Sequence, residues 1–357
     1  MTKIPFNEKE LTVVGEKPSF FGPPTPLYDF PVTFKEAWFS MLRGEPVWMP
    51  MGLETAYFST DLIGDNIARG AVSGKRLKPE EIGGKDMFGI EWVYIPTVGG
   101  SIVKPGEPTL KDANDWKEVI QFPDVDSWDW EGSAERMKPF FEANKDVYVQ
   151  MMLFNGFFER LISFMDFEGA AMAMIDEEQQ DALKELLDNI ADLYIKIIDK
   201  HIQYYPIDGV NMHDDWGAQR APFFSLDTVR EMLVPPMKKV VDFCHSKGMY
   251  VDFHSCGMIE MLVPAMIEIG FNTWGGQPMN DYGKLYELYG DKIAFGVIPE
   301  LHENATDEEA AKAAKEFVEK YTKPGTTCFI SMSGRVAMGN PVFRKEVYRL
   351  SRIKYSE

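Results

Sequence analysis

Val251-Asp-Phe-His-Ser-Cys-Gly257 is an apolar run that stops in His, Ser and Cys. A helical stretch, 258–269, follows it directly. Alternate residues of a strand share one face, so His254 and Cys256 point the same way if the strand runs through them. The same unit, an apolar strand ending in polar residues and then a helix, recurs on either side. Upstream lie Val147–Leu153 ending at Asn155-Gly156, and Gly209–Met212 ending at His213-Asp-Asp-Trp-Gly217. Downstream are strands at 271–274, 293–298 and 326–331, each with a helix after it. Repeated strand–helix units favour a parallel sheet with helices outside it. The expected fold is α/β, a (β/α)8 TIM barrel with an N-terminal extension and an inserted hairpin. Seven strands can be placed. The eighth has no evident location, which keeps an open doubly wound sheet as the alternative.

The helices carry their own signals. Leu183, Leu187, Ile190, Tyr194 and Ile197 recur at close to 3.6 residues within Gln179–Tyr204. Thr306 and Glu309 form a capping box for a helix at 307–321. Thr33–Arg43 reads as a short helix closed by Gly44. Pro46–Met51 reads as the first barrel strand. Residues 1–32, with Phe21-Gly-Pro-Pro-Thr-Pro26, read as a surface arm. The expected domains are thus an arm and helix over 1–45 and one barrel over 46–357. Its insertion, at about 55–135, contains Phe88–Ile95 and Ser101–Val103 about Gly99-Gly100 as a hairpin, and is expected over or beside the barrel mouth.

Bulk composition narrows the function. The 357 residues are 45% hydrophobic and 26% charged, with a net charge of −19. That charge argues against nucleic acid or an anionic membrane as partner, since both require clustered Lys and Arg. Three cysteines in so long a chain do not suggest a disulfide framework. No apolar run approaches the ~18 residues of a membrane helix, and the N-terminus lacks the apolar core of a signal peptide. A cytoplasmic protein is expected. A homodimer is the open expectation for assembly.

Polar residues gather at the strand ends, where barrels of this type place their active sites. His254 and Cys256 supply half of a tetrahedral zinc site, and Cys328, in Thr326-Thr-Cys-Phe-Ile-Ser331, stands as the third donor. The plain alternative is that a buried free cysteine is a small hydrophobe. Cys244, on the apolar stripe of its helix, is read that way, and His201 is read as structural. Asp214 and Asp215 are candidates for orienting a metal-bound histidine or receiving a substrate hydrogen bond. As an adjacent Asp pair they also suit a turn or a helix start. Asn155, His213 and Gln277 are candidate substrate contacts, and Glu300 a further catalytic candidate. No Gly-rich phosphate loop and no nucleophile elbow is present.

Phe253-His-Ser-Cys-Gly257, Asp214-Asp-Trp-Gly-Ala-Gln219, Gly290-Asp-Lys-Ile-Ala-Phe-Gly296 and the late Cys328 together resemble the uroporphyrinogen decarboxylase superfamily. The resemblance is to its zinc- and corrinoid-dependent methyltransferase branch and spans about 45–350. It implies a (β/α)8 barrel and zinc on His254, Cys256 and Cys328. It also implies methyl transfer between a small thiol, methyl ether or methylamine and a corrinoid. The chain has no corrinoid-binding module, so that cofactor would be carried by a separate corrinoid protein. The decarboxylases of the superfamily hold an octacarboxylic tetrapyrrole with arginines near the first strand. The matching stretch here, Met49-Pro-Met-Gly-Leu-Glu-Thr-Ala-Tyr57, has none. A metal-free decarboxylase acting on a smaller acid is the alternative reading, and a non-catalytic relative that only binds a corrinoid protein is a third.

Overall fold

The computed structural model describes residues 3–17, 24–97, 99–331 and 333–357. Seven strands share one sheet: β1 Thr55–Phe58, β2 Tyr148–Leu153, β3 Gly209–His213, β4 Tyr250–His254, β5 Thr273–Gly275, β6 Ala294–Val297 and β7 Cys328–Ile330. Their order is β7-β6-β5-β4-β3-β2-β1, so neighbours in the sheet are neighbours in the chain. The pairs β2/β3, β3/β4, β5/β6 and β6/β7 are parallel. This is the α/β parallel architecture expected. The eighth strand of a closed barrel is absent among the described residues.

The expected first strand, Pro46–Met51, is not one. Proline at both 46 and 50 removes ladder donors. The segment is irregular instead, bending at Val47 and Trp48, and is buried from Trp48 onward. Trp48 and Met49 are inaccessible to solvent, and the Pro50 carbonyl accepts from Ile330 N–H at 2.8 Å. Four residues on, the Glu54 carbonyl accepts from Tyr148 N–H at 2.9 Å. The Glu54 side chain is buried and turns inward on its own loop, taking Trp48 Nε1 at 2.8 Å and Met51 N at 2.9 Å.

The chain divides into two compact units. One comprises 1–56, 146–148 and 272–357. Its helices Asp307–Tyr321 and Pro341–Ser356 pack together, and the Thr306/Glu309 capping box is formed. The N-terminal arm is more than surface chain. Glu10 is buried and accepts from Arg352 Nε and Nη2, both at 2.9 Å, and from Tyr348 Oη at 2.8 Å. A buried carboxylate needs that pairing to offset its desolvation. Part of the Pro- and Gly-rich run, 21–23, lies outside the described residues.

The other unit comprises 57–145 and 149–271. It contains β3, β4 and helices Phe158–Ala173, Gln180–Tyr204 and Val234–Ser246. It also holds the expected hairpin, Glu91–Ile95 with Gly100–Val103, extended by Gly83–Lys85 into an antiparallel three-stranded sheet. Arg160, fully buried, ties that sheet to helix Phe158–Ala173. Its guanidinium meets Asp65 and, at 2.8 Å, Asp86, and lies over the Phe88 ring. The helix kinks at Asp166, whose φ of 57° with ψ of −178° is a conformation that favours glycine.

Two stability measurements follow. Arg160→Leu leaves Asp65 and Asp86 buried without their cation and is expected to cost about 3–5 kcal/mol in denaturant unfolding. His201 is buried against Trp130 and Tyr205, and its Nδ1–H donates to the Ile197 carbonyl at 2.8 Å. Burial lowers its pKa from 6.5 to about 4. The unfolded chain therefore takes a proton there that the folded chain refuses. Stability falls as pH drops from 6.5 towards 4, by up to about 3 kcal/mol from this group. His201→Leu is expected to flatten that part of the stability–pH curve relative to the parent.

Candidate metal centre

Parallel register sets His213 opposite His254 at the carboxyl ends of β3 and β4. Paired residues of adjacent strands point the same way. The two imidazoles accordingly stack, with ring centres 4.9 Å apart and planes 18° from parallel. The chain then leaves both strands in two loops, Asp214–Gly217 and Ser255–Gly257, that are bound to each other. Asp214 N–H donates to the His254 carbonyl at 3.1 Å and Met258 N–H to the Ala218 carbonyl at 2.8 Å. Trp216 N–H donates to Ser255 Oγ at 3.0 Å. Cys256 N–H donates to Asp215 Oδ1 at 2.7 Å. Two glycines permit this approach. A Cβ on Gly257, at φ +94°, would lie 2.4 Å from the Gly217 backbone.

The result is a cluster of mixed donors. One ligand atom each from His213, Asp215 and His254 lies within 4.8 Å of the others. Cys256 Sγ is 3.5 Å from His254 Nε2. Imidazole nitrogen, carboxylate oxygen and a sulfur on one side of two strand ends is a donor set suited to zinc. The side chains of His213 and Asp215 are partly exposed, so the cluster is reachable from outside.

Behind the cluster stands a second set of charges. Glu159 Oε2 accepts from His213 Nδ1–H at 2.6 Å, and Glu159 Oε1 pairs with Arg69 at 2.8 Å. Burial by itself would raise the Glu159 carboxyl, but Arg69, then His213, outweigh it and hold it below the usual range. Burial pulls His213 down, but the hydrogen bond and charge of Glu159 prevail and raise it. With Nδ1–H committed to Glu159, the lone pair of Nε2 is the one presented to the cluster. Burial, followed by the charge of Asp215, pushes the Cys256 thiol up to about 12. A divalent cation in the cluster would reverse that balance.

The remaining candidates have other settings. Asp214 is wholly buried and caps a helix. It accepts Phe158 N–H at 3.1 Å, Glu159 N–H at 2.8 Å and Trp216 Nε1–H at 2.9 Å. These satisfy orphan donors at the start of Phe158–Ala173. Burial, then the charge of Glu159, raises its carboxyl to about 7. Asn155 is also buried, joining Arg69 to Asp65. Gln277, Glu300 and Cys328 belong to the other compact unit. Gln277 follows β5, and its carbonyl receives the Asn280 amide. Glu300 is exposed beyond the end of β6. Cys328 is the first residue of β7, not the last. Its thiol is buried, donates to the Tyr321 carbonyl at 3.3 Å and is raised by burial. Those surroundings are those of a core thiol.

Sequence reading missed Glu159 and Arg69. The signal for Glu159 was present, since Glu159-Arg160 interrupts the apolar run Phe154-Asn-Gly-Phe-Phe with two charges. Adjacent opposite charges in such a run need buried partners. Arg69 follows a five-residue helix with no periodic pattern to mark it.

Comparison with known proteins gives one family. Residues 158–340 match the family model described as uroporphyrinogen decarboxylase (URO-D). No curated protein matches the chain. A solved Xaa-Pro dipeptidase with methionine bound in its active site is 12% identical, with a TM-score of 0.31. The alignment takes in 63% of this chain and 57% of that one, and carries no argument.

Gly257→Ala tests the loop contact. The added methyl meets backbone at a positive φ, so a loss of roughly 2 kcal/mol or more is expected in thermal or denaturant unfolding. Unchanged stability would contradict the packing described.

Proposed function

The chain belongs to the uroporphyrinogen decarboxylase family, and on that premise we propose that it is a zinc-dependent enzyme of methyl transfer. The methyl group moves between a small substrate and the corrinoid of a separate corrinoid protein. Zinc is held by His254 and Cys256 together with Asp215 and His213. Cys328 is left out of the ligand set on the strength of its own surroundings. The observation that carries the reading is the grouping of His213, Asp215 and His254, with Cys256 Sγ 3.5 Å from His254 Nε2.

Zinc in such a set supplies Lewis acidity, stabilising a thiolate or polarising the oxygen of an ether. The chain's own groups set the stage for that. Glu159 fixes the tautomer of His213 and is itself fixed by Arg69. Asp215 holds the Cys256 backbone and so the direction of its sulfur. Cys256 supplies the one soft donor of the set. In either direction the methyl group passes without its bonding electron pair.

Electrostatics weigh against decarboxylation of a polycarboxylate at this cluster. Asp215 belongs to it and Glu159 adjoins it through His213, while Arg69 is already paired with Glu159. An anionic substrate would meet repulsion from these carboxylates.

The test begins with metal. Purified protein is expected to carry about one zinc per chain, removed by His254→Ala and by Cys256→Ser but retained by Cys328→Ser. Glu159→Gln is expected to weaken zinc by about 10–100-fold while leaving the ligands in place. Transfer is then assayed from methylcobalamin to thiols, and from methyl ethers or methylamines to cob(I)alamin. Carbon dioxide release from a carboxylic acid without corrinoid, with zinc-free protein equally active, would overturn the proposal.

A further inference from the structure

A cavity of about 740 Å³ lies beside the carboxyl ends of β1 and β2, a size that suits a small organic ligand. Loop 70–77 forms one wall, and local chemistry fixes its shape. Gly74, at φ +74°, lets Val72-Ser-Gly-Lys75 turn back on itself, with Lys75 N–H donating to the Val72 carbonyl at 3.1 Å. Ser73 fastens the turn to the residue that follows β1. Its N–H donates to the Ser59 carbonyl at 2.9 Å, and its Oγ accepts from Ser59 N–H at 2.9 Å. Lys75 and Arg76 are thereby held at the cavity they line. Both are exposed, and neither has an ion-pair partner among the described residues. That is unusual company in a chain of 56 acidic and 37 basic residues. No carboxylate lines this cavity among the described residues. The rest of the wall is largely apolar, with Tyr57, Phe140 and Phe154. Tyr57 is 50% exposed although it belongs to a strand of the central sheet, so its ring offers surface for a ligand to cover. Burial of the phenol group, then the charge of Asp252, raises its pKa to about 12. Negative charge is thus disfavoured at the Tyr57 side and favoured at the Lys75–Arg76 side.

We propose that this cavity binds an organic anion, with a ring-sized apolar body against Tyr57 and Phe154 and its negative group on Lys75 and Arg76. A cation would be repelled by both side chains, and a neutral molecule would leave both unused. A guanidinium fork beside an ammonium suits a phosphate, which offers oxygens to each. None of His213, Asp215, His254 and Cys256 lines the cavity. The site therefore stands apart from the metal cluster, and its ligand is independent of the methyl-transfer reading.

The probe is phenyl phosphate, titrated by calorimetry at low ionic strength into the intact protein with a chelator present, so that zinc takes no part. Saturable binding is expected, with phenol and inorganic phosphate each weaker by about tenfold or more, because each lacks one half of the match. Lys75→Gln and Arg76→Gln are each expected to weaken phenyl phosphate by about three- to tenfold. Thermal unfolding should be unchanged in both, since the two side chains are exposed and unpaired. Tyr57→Ala is expected to weaken phenyl phosphate and to leave inorganic phosphate as it was. Absence of saturable binding, phenol or inorganic phosphate binding as tightly as phenyl phosphate, or binding indifferent to Lys75→Gln and Arg76→Gln would each overturn the proposal.

Discussion

Glu159 is the group on which the site depends. One carboxylate oxygen takes Arg69 and the other takes His213. Burial alone would raise the Glu159 carboxyl, and the cation and imidazole that share it hold it below the usual range. Its own backbone N–H is held by Asp214, which leads the chain from β3 into the loop carrying Asp215. A single residue at the start of a helix thus links the hairpin side of its unit, through Arg69, to the donors at the ends of β3 and β4. The tautomer of His213, the direction of Asp215 and the seat of Cys256 all follow from this one set of contacts.

Backbone proximity is the second constraint. Two loops that leave adjacent strands exchange hydrogen bonds directly, and only glycine at 217 and 257 leaves room for it. This explains why His254 and Cys256 can sit against Asp215, although Asp215 follows β3 and the other two belong to the end of β4. Propensity has little to do with it. The loops have no regular structure of their own, and their positions are fixed by hydrogen bonds to one another.

Much of this was legible beforehand. Strong apolar periodicity placed helix Gln180–Tyr204 within a residue, and the Thr306/Glu309 capping box placed helix Asp307–Tyr321 at its true start. The polar residues after β3 and β4 were read as site candidates, His254 and Cys256 as metal ligands with Cys328, Asp215 as catalytic and His213 as a substrate contact, and parallel register sets His213 beside His254. Pro46–Met51 misled because an apolar run with two prolines resembles a strand in hydrophobicity but lacks its donors. Asp214 looked catalytic, yet a buried Asp beside a helix start is equally a cap, and spacing cannot tell the two apart. Cys328 was read as the third donor from its residue type in a strand-like run, and the resemblance agreed. Its position at the beginning of β7, with its thiol on the Tyr321 carbonyl, depends on strand boundaries that sequence defines poorly. Arg69 and Glu159 lie ninety residues apart, and no local pattern announces such a pair.

The direct test of the central claim is the number of sulfurs bound to zinc, read by X-ray absorption on the intact protein. The account predicts one sulfur at about 2.3 Å, with nitrogen and oxygen at about 2.0–2.1 Å completing the shell. The sulfur signal should vanish in Cys256→Ser and persist in Cys328→Ser. Two sulfurs in the shell, with one lost in Cys328→Ser, would contradict the ligand set proposed here.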